Sequence, residues 1–299
     1  MSEQVENSLN PGWSRNWRDY YDLCKPKVVF LIVFTAVVGM FLSVPGLPDL
    51  GALIFGTLGI GLAAASAAAI NQVVDQKVDA DMQRTKQRPI PTGHLSNRHA
   101  LIFAFIIGII AMVILVSLVN VLTAVLTFLS LIGYAVIYTM YLKRATPQNI
   151  VIGGAAGAAP PVLGWTAITG TIDPNSLWLF LIIFAWTPPH FWALAIHRRD
   201  EYAKVDIPML PVTHGIEFTR LHVLLYTIIL IIVTIFPYLV KMTGPLYLVS
   251  ILILDGIFLF YVIKLQKSLK DGIAMKTFGF SIIYLIILFA VLLIDHYIP

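Results

Sequence analysis

The run Gly51-Ala-Leu-Ile-Phe-Gly-Thr-Leu-Gly-Ile60-Gly-Leu-Ala-Ala-Ala-Ser-Ala-Ala-Ala-Ile70 passes directly into Asn71-Gln-Val-Val-Asp75-Gln-Lys-Val-Asp79-Ala-Asp81. The apolar part is long enough to cross a bilayer, which takes about 20 such residues in a helix. The polar part places Asn71, Asp75 and Asp79 at i, i+4 and i+8. Each four-residue step on a helix turns about 40° and rises about 6 Å. The three polar tips therefore form one inward stripe at the end of a membrane span. Asp81, two residues beyond Asp79, falls on the opposite face if the helix continues. Lys77, Arg84, Lys86 and Arg88 follow. Carboxylates beside an amide, then ammonium and guanidinium groups, suit a diphosphate held through a hard cation. Mg²⁺ takes oxygen ligands and usually binds through one or two carboxylates plus substrate phosphates.

The rest of the chain reads as a membrane-embedded holder for that stripe. Of 299 residues, 58% are hydrophobic and 12% charged, with a mean hydropathy of +0.84. Soluble domains run near 25% charged, so the fold expected is an all-α, multi-span membrane protein. The first 26 residues are polar and aromatic, and no cleavable leader is expected in them; the first span then serves as the insertion signal. A single cysteine, Cys24, excludes an intrachain disulfide and a cysteine-based zinc site. The net charge of +4 calls for no nucleic acid, because basic residues collect in the cytoplasmic loops of membrane proteins.

Apolar runs of spanning length lie at about 27–45, 50–70, 99–119, 121–142, 148–168, 176–196, 219–240, 245–264 and 277–297. About nine helices around a central cavity are expected, in one domain over 27–299 behind a cytoplasmic segment 1–26. Short connections such as that at Asn120 imply antiparallel neighbours. The small-residue runs Ala63 to Ala69 and Gly153 to Ala159 let helix backbones approach closely. With the N-terminus inside, all but one (Lys241) of the 20 lysines and arginines fall on the inner side, which sets a cytoplasmic N-terminus. Trp13, Trp17, Tyr20 and Tyr21 read as an interfacial anchor.

Two long inner loops, about 71–98 and 197–218, follow the second and sixth helices. The first ends in Pro89-Ile-Pro-Thr-Gly-His94 and the second in Pro208-Met-Leu-Pro-Val-Thr-His-Gly215. This is a degenerate repeat of two four-helix halves with a ninth helix added, and both loops emerge on one face. The second loop carries His197-Arg-Arg-Asp200-Glu201-Tyr202-Ala-Lys204-Val-Asp206, whose acids keep no four-residue step. His190 lies inside a span in Trp186-Thr-Pro-Pro-His190-Phe-Trp192. A polar ring there is costly unless paired or lining a cavity. It reads as a ligand to a metal, an acceptor for a polar substrate group, or a histidine bonded to a carbonyl freed by the prolines. His197, seven residues on, is a candidate partner. Asp255, deep in a late span, pairs with Lys241 or Lys264 or lines a polar cleft.

The segment Asn71-x3-Asp75-x3-Asp79 resembles the first aspartate-rich motif of the UbiA-type intramembrane prenyltransferases. Three further blocks are similar to the heme-modifying branch of that superfamily, the protoheme IX farnesyltransferases. They are Lys143 to Trp165, Trp186 to Ala195, and Tyr202-x5-Pro208-Met-Leu-Pro211. The resemblance implies nine helices around a cavity, Mg²⁺ on the aspartate motifs, and farnesyl diphosphate and heme b as substrates. It implies transfer of the farnesyl group to a heme vinyl group with addition of water, giving heme O. Asn71, Asp75, Asp79, Lys86 and Arg88 are then catalytic, with Glu201 and Asp206 completing the metal ligands. Arg84, Lys204, Tyr202, His190 and His197 would contact substrate, His190 at the heme iron or a propionate. A bacterial inner-membrane location with a cytoplasmic site is expected, and a downstream heme-modifying enzyme or terminal oxidase assembly as partner. The rival readings are a prenyltransferase for a quinone precursor, a cation-coupled transporter, and a scaffold subunit of a respiratory complex. Diphosphate dependence separates the enzymes from the other two.

Overall fold

The computed structural model describes residues 16–267 and 272–298, and every regular element among them is helical. Trp13 lies outside the described residues. Helix α1 (Trp17–Leu23) meets α2 (Pro26–Leu42) at 55°, with Cys24 and Lys25 in the break. Next come α3 (Leu50–Val74), the short α4 (Gln76–Asp81) and α5 (Asn97–Leu118). Helix α6 (Val121–Ile132) runs on through a π-helical stretch, Gly133–Leu142, to Ala145. One span is built from α7 (Asn149–Ala158) and α8 (Pro160–Thr169). Helix α9 (Pro174–His197) is followed by short α10 (Arg199–Lys204) and α11 (Leu210–Thr213). The chain closes with α12 (Gly215–Leu239), α13 (Pro245–Lys267) and α14 (Gly272–His296). Among the described residues eight helices are long and apolar enough to span, and the bent α1–α2 pair supplies a ninth.

Helices are the form this composition must take, since in lipid only internally bonded backbone is tolerated. Their starts follow local chemistry. Asp49, Ser96 and Asn120 accept from the backbone N–H three residues on at 2.8, 3.3 and 2.8 Å, as N-caps do. Prolines at the first turns of α2, α8 and α9 need no N–H there. Large apolar side chains such as Phe105, Ile109 and Phe260 face outward, as lipid-facing residues of an integral membrane protein must.

Each spanning helix packs against the next in sequence, and α14 returns to α2, so the bundle closes on itself. The tightest approach is between α2 and α8. A Cβ at Gly164 would sit 1.9 Å from the Ala36 carbonyl oxygen, and one at Gly39 2.3 Å from that of Pro161. These glycines bring two backbones into contact, the packing that replaces hydrophobic drive between helices in lipid. The alanine run of α3 is mostly buried, and Ser66 there donates to the Ala104 carbonyl of α5 at 2.8 Å.

The segments 71–98 and 197–218 carry short helices of their own. Helices α3 and α9 both break at a single residue, Asp75 and Arg198, and resume as six-residue helices. Asp255 takes neither lysine partner. The Tyr284 hydroxyl donates to its Oδ1 at 2.6 Å and Thr234 Oγ1 lies 2.9 Å from its Oδ2, tying α12, α13 and α14 together.

A candidate diphosphate and metal site

Hydrogen bonds from Asp75 N to Asn71 O (3.0 Å) and Asp79 N to Asp75 O (2.8 Å) carry the helical register through the break. Asn71, Asp75 and Asp79 thus keep one face, and all three are buried. Asn71 Nδ2 donates to Asp75 Oδ2 at 2.8 Å and to Thr139 Oγ1 at 3.2 Å. A different cation serves each member of the stripe. Lys143 Nζ lies 2.6 Å from Asp75 Oδ2, Arg88 Nη1 pairs with Asp79 Oδ2, and Lys25 Nζ donates to Asn71 Oδ1. Three cationic side chains therefore face two carboxylates. Lys25, held at φ +51° ahead of the first spanning segment, feels this most. Burial, then the like charge of Arg88, lowers its ammonium to about 7.

The π-helical stretch of α6 supplies the opposite wall. A π-turn widens a helix and re-aims its side chains, and such turns are frequent at functional sites. Here it brings Thr139 onto Asn71. It also puts Tyr134 within electrostatic reach of Asp75, Asp79, Arg84 and Arg88.

Asp75 Oδ1 is buried and has no hydrogen-bond partner. A buried carboxylate oxygen in that state is costly, and a hard cation is the partner its chemistry suits. The oxygen set of Asn71, Asp75 and Asp79 therefore fits Mg²⁺.

The second loop is built otherwise. If the two breaks are set in register, Arg198 and Tyr202 stand where Asp75 and Asp79 stand in the first loop. Arg198 pairs with Glu201 at 2.7 Å. Asp206 is exposed at φ +52°. Among the described residues no three His, Cys, Asp or Glu side chains gather as a metal group. Tyr202 is buried, its phenol raised by burial, and it feels the charges of Arg84 and Arg198. Arg84, Lys86, Lys204 and His197 are exposed. His190 is buried roughly 10 Å along α9 from His197, so the two histidines are not brought together. His190 bonds Ser281 of α14 at 2.6 Å, not a freed carbonyl.

Lys25 and Lys143, two of the three cations that pair with the stripe, were not singled out by sequence reasoning. Their partners lie 46 and 68 positions away. The available signal was that Lys143 opens one of the three blocks resembling the heme-modifying branch.

A family model for the UbiA prenyltransferase family matches residues 32–293. A protein of Methylococcus capsulatus named protoheme IX farnesyltransferase is 60% identical over 98% of this chain and 99% of its own length. One of the same name from Nitrosococcus oceani is 58% identical over 98% of each chain. Among solved structures, a UbiA homolog from Aeropyrum pernix K1 matches with a TM-score of 0.74 at 19% identity, over 90% of this chain and 98% of that one. A homolog from Archaeoglobus fulgidus bound to GPP and Mg²⁺ matches at 0.63 and 17%, over 92% and 99%. At those identities the solved structures speak for the fold, and the family model and the curated relatives speak for descent. This integral membrane chain belongs to the UbiA prenyltransferase family.

Proposed function

We propose that the chain transfers the farnesyl group of farnesyl diphosphate to a vinyl group of heme b, with addition of water, yielding heme O. The observation that carries the donor half is the buried Asn71–Asp75–Asp79 stripe with its excess of cations. The acceptor half is supported by near full-length identity of 56–60% to relatives named protoheme IX farnesyltransferase.

Asn71, Asp75 and Asp79 would hold Mg²⁺ through oxygen. When bound, the ion supplies Lewis-acid stabilisation of the diphosphate leaving group. Lys143, Arg88 and Lys25 stand ready to donate to diphosphate oxygens as negative charge grows on them. Preorganised charge of this kind is usually the largest catalytic contribution, and losing one donor costs about 3 kcal/mol. Exposed Arg84 and Lys86 extend the cationic rim over which the anion enters. As the allylic C–O bond breaks, the diphosphate leaves with the bonding pair. The farnesyl carbon bonds to the heme vinyl terminus, and water adds to the adjacent carbon with loss of a proton. The apolar helices beneath the stripe accommodate the farnesyl tail and keep water from the first cation. The charge distribution supports a cytoplasmic site in a bacterial inner membrane. Its product would pass to a heme-modifying enzyme or to terminal oxidase assembly.

Pigment analysis tests this directly. Membranes carrying the chain, given heme b, farnesyl diphosphate and Mg²⁺, are expected to form a farnesylated heme that is lost with Asp75→Asn and with metal chelation. Prenylation of an aromatic acid with no new heme would move the chain to the quinone-precursor branch. Failure to consume any prenyl diphosphate would refute the enzyme reading.

A further inference from the structure

The scheme above leaves His190 without a task, and its surroundings fix its chemistry. The ring is sandwiched between Trp186 (centroids 4.2 Å, planes 18° apart) and Phe278 (4.5 Å, 26°). Nδ1 lies 2.6 Å from Ser281 Oγ. Ser281 has one hydroxyl proton, and it is donated to the Phe278 carbonyl at 2.7 Å. In that arrangement Oγ accepts from the imidazole and Nδ1 carries the hydrogen. A neutral imidazole has one ring proton, which leaves Nε2 a lone pair. Trp186 Nε1 donates to the Ser281 carbonyl at 2.8 Å. One residue of α14 thus fixes the histidine's tautomer and pins the indole stacked on it.

A neutral histidine whose Nδ1–H is engaged, with Nε2 as a lone pair, is the form in which imidazole binds metals. The outer hydrogen bond sets the ring's orientation and raises its basicity. Mg²⁺ prefers oxygen, whereas imidazole suits iron. The ring lies at membrane depth, 7% exposed and among aromatic side chains. We propose that His190 Nε2 is an axial ligand to the iron of the heme acceptor, with Ser281 as its positioning residue. The iron contact would hold the macrocycle within the bundle. This inference rests on heme being the acceptor.

The test is resonance Raman and visible spectroscopy of the purified full chain in nanodiscs, titrated with heme b and reduced. The parent is expected to show an iron–histidine stretch. His190→Gly is expected to lose it and to regain an iron–nitrogen band with added imidazole. Ser281→Ala, the milder change, keeps the band at lower frequency and weakens heme affinity by about 10–100-fold, as removal of an outer-shell partner does. A spectrum in His190→Gly identical to the parent's would overturn the assignment while leaving heme as acceptor. Heme bound by the parent with no nitrogen ligand would do the same. A parent chain that binds no heme would overturn both this inference and the acceptor on which it rests.

Discussion

The ion pair between Asp75 and Lys143 joins the end of α3 to the end of the π-helical segment of α6, and its removal separates folding from chemistry. The two side chains are 3% and 14% exposed and meet at 2.6 Å. Lys143→Met would leave Asp75 with a buried charge and an oxygen, Oδ1, that already has no partner. Asp75→Asn would leave the lysine uncompensated. Breaking a buried pair from one side costs about 3–5 kcal/mol, whereas replacing both partners by neutral groups is often nearly neutral. The double variant should therefore lose far less than the sum of the singles, with a coupling energy of about 2–3 kcal/mol. Denaturant unfolding of the four proteins in one detergent, without metal or diphosphate, measures that energy. Farnesyl transfer should behave differently. All three variants lose activity, Lys143→Met by about 100-fold or more as expected for a lost oxyanion donor, and the double variant does not recover it. Additive stabilities would show that the pair is not coupled in the folded protein. Activity restored in the double variant would show that neither residue acts on the diphosphate.

Two further expectations probe the scaffold. Gly164→Ala and Gly39→Ala drive a Cβ into the opposing backbone of α2 and α8, respectively, and should each lower stability by about 1–3 kcal/mol or more, as overpacking does. Gly157→Ala, where a Cβ meets nothing within 4 Å, should be neutral or slightly stabilising; equal melting temperatures for all three would refute the close α2–α8 contact. Asp255→Asn should retain farnesyl transfer and most stability, because Asn still offers an acceptor to Tyr284. Asp255→Leu should cost about 1–3 kcal/mol by orphaning a buried hydroxyl, and loss of activity in the Asn variant at unchanged stability would make Asp255 functional.

What was legible in the sequence follows from how far each signal reaches along the chain. Spans are legible because lipid leaves the backbone no alternative to internal hydrogen bonds, so twenty apolar residues decide a helix without reference to anything distant. The aspartate stripe is legible because a four-residue step is itself a helical period, and the register survives the turn at Asp75. Lys25 and Lys143 carry no such period. In sequence they are indistinguishable from basic residues that merely set topology, and only folding brings them onto Asn71 and Asp75. The π-helical stretch is equally silent, since Gly133 to Leu142 has the composition of any span. The second loop misleads for the opposite reason. Its acids at 200, 201 and 206 advertise a counterpart to the first motif, yet the break at Arg198 sets a register in which Arg198 and Tyr202 take the matching positions. Both loops take the same helix–break–helix form, but they carry different side chains at the break. The first carries the carboxylates of Asp75 and Asp79, and the second a guanidinium and a phenol that feels the charge of Arg84. That difference goes with an acidic-looking loop in which, among the described residues, no metal group of three acids gathers.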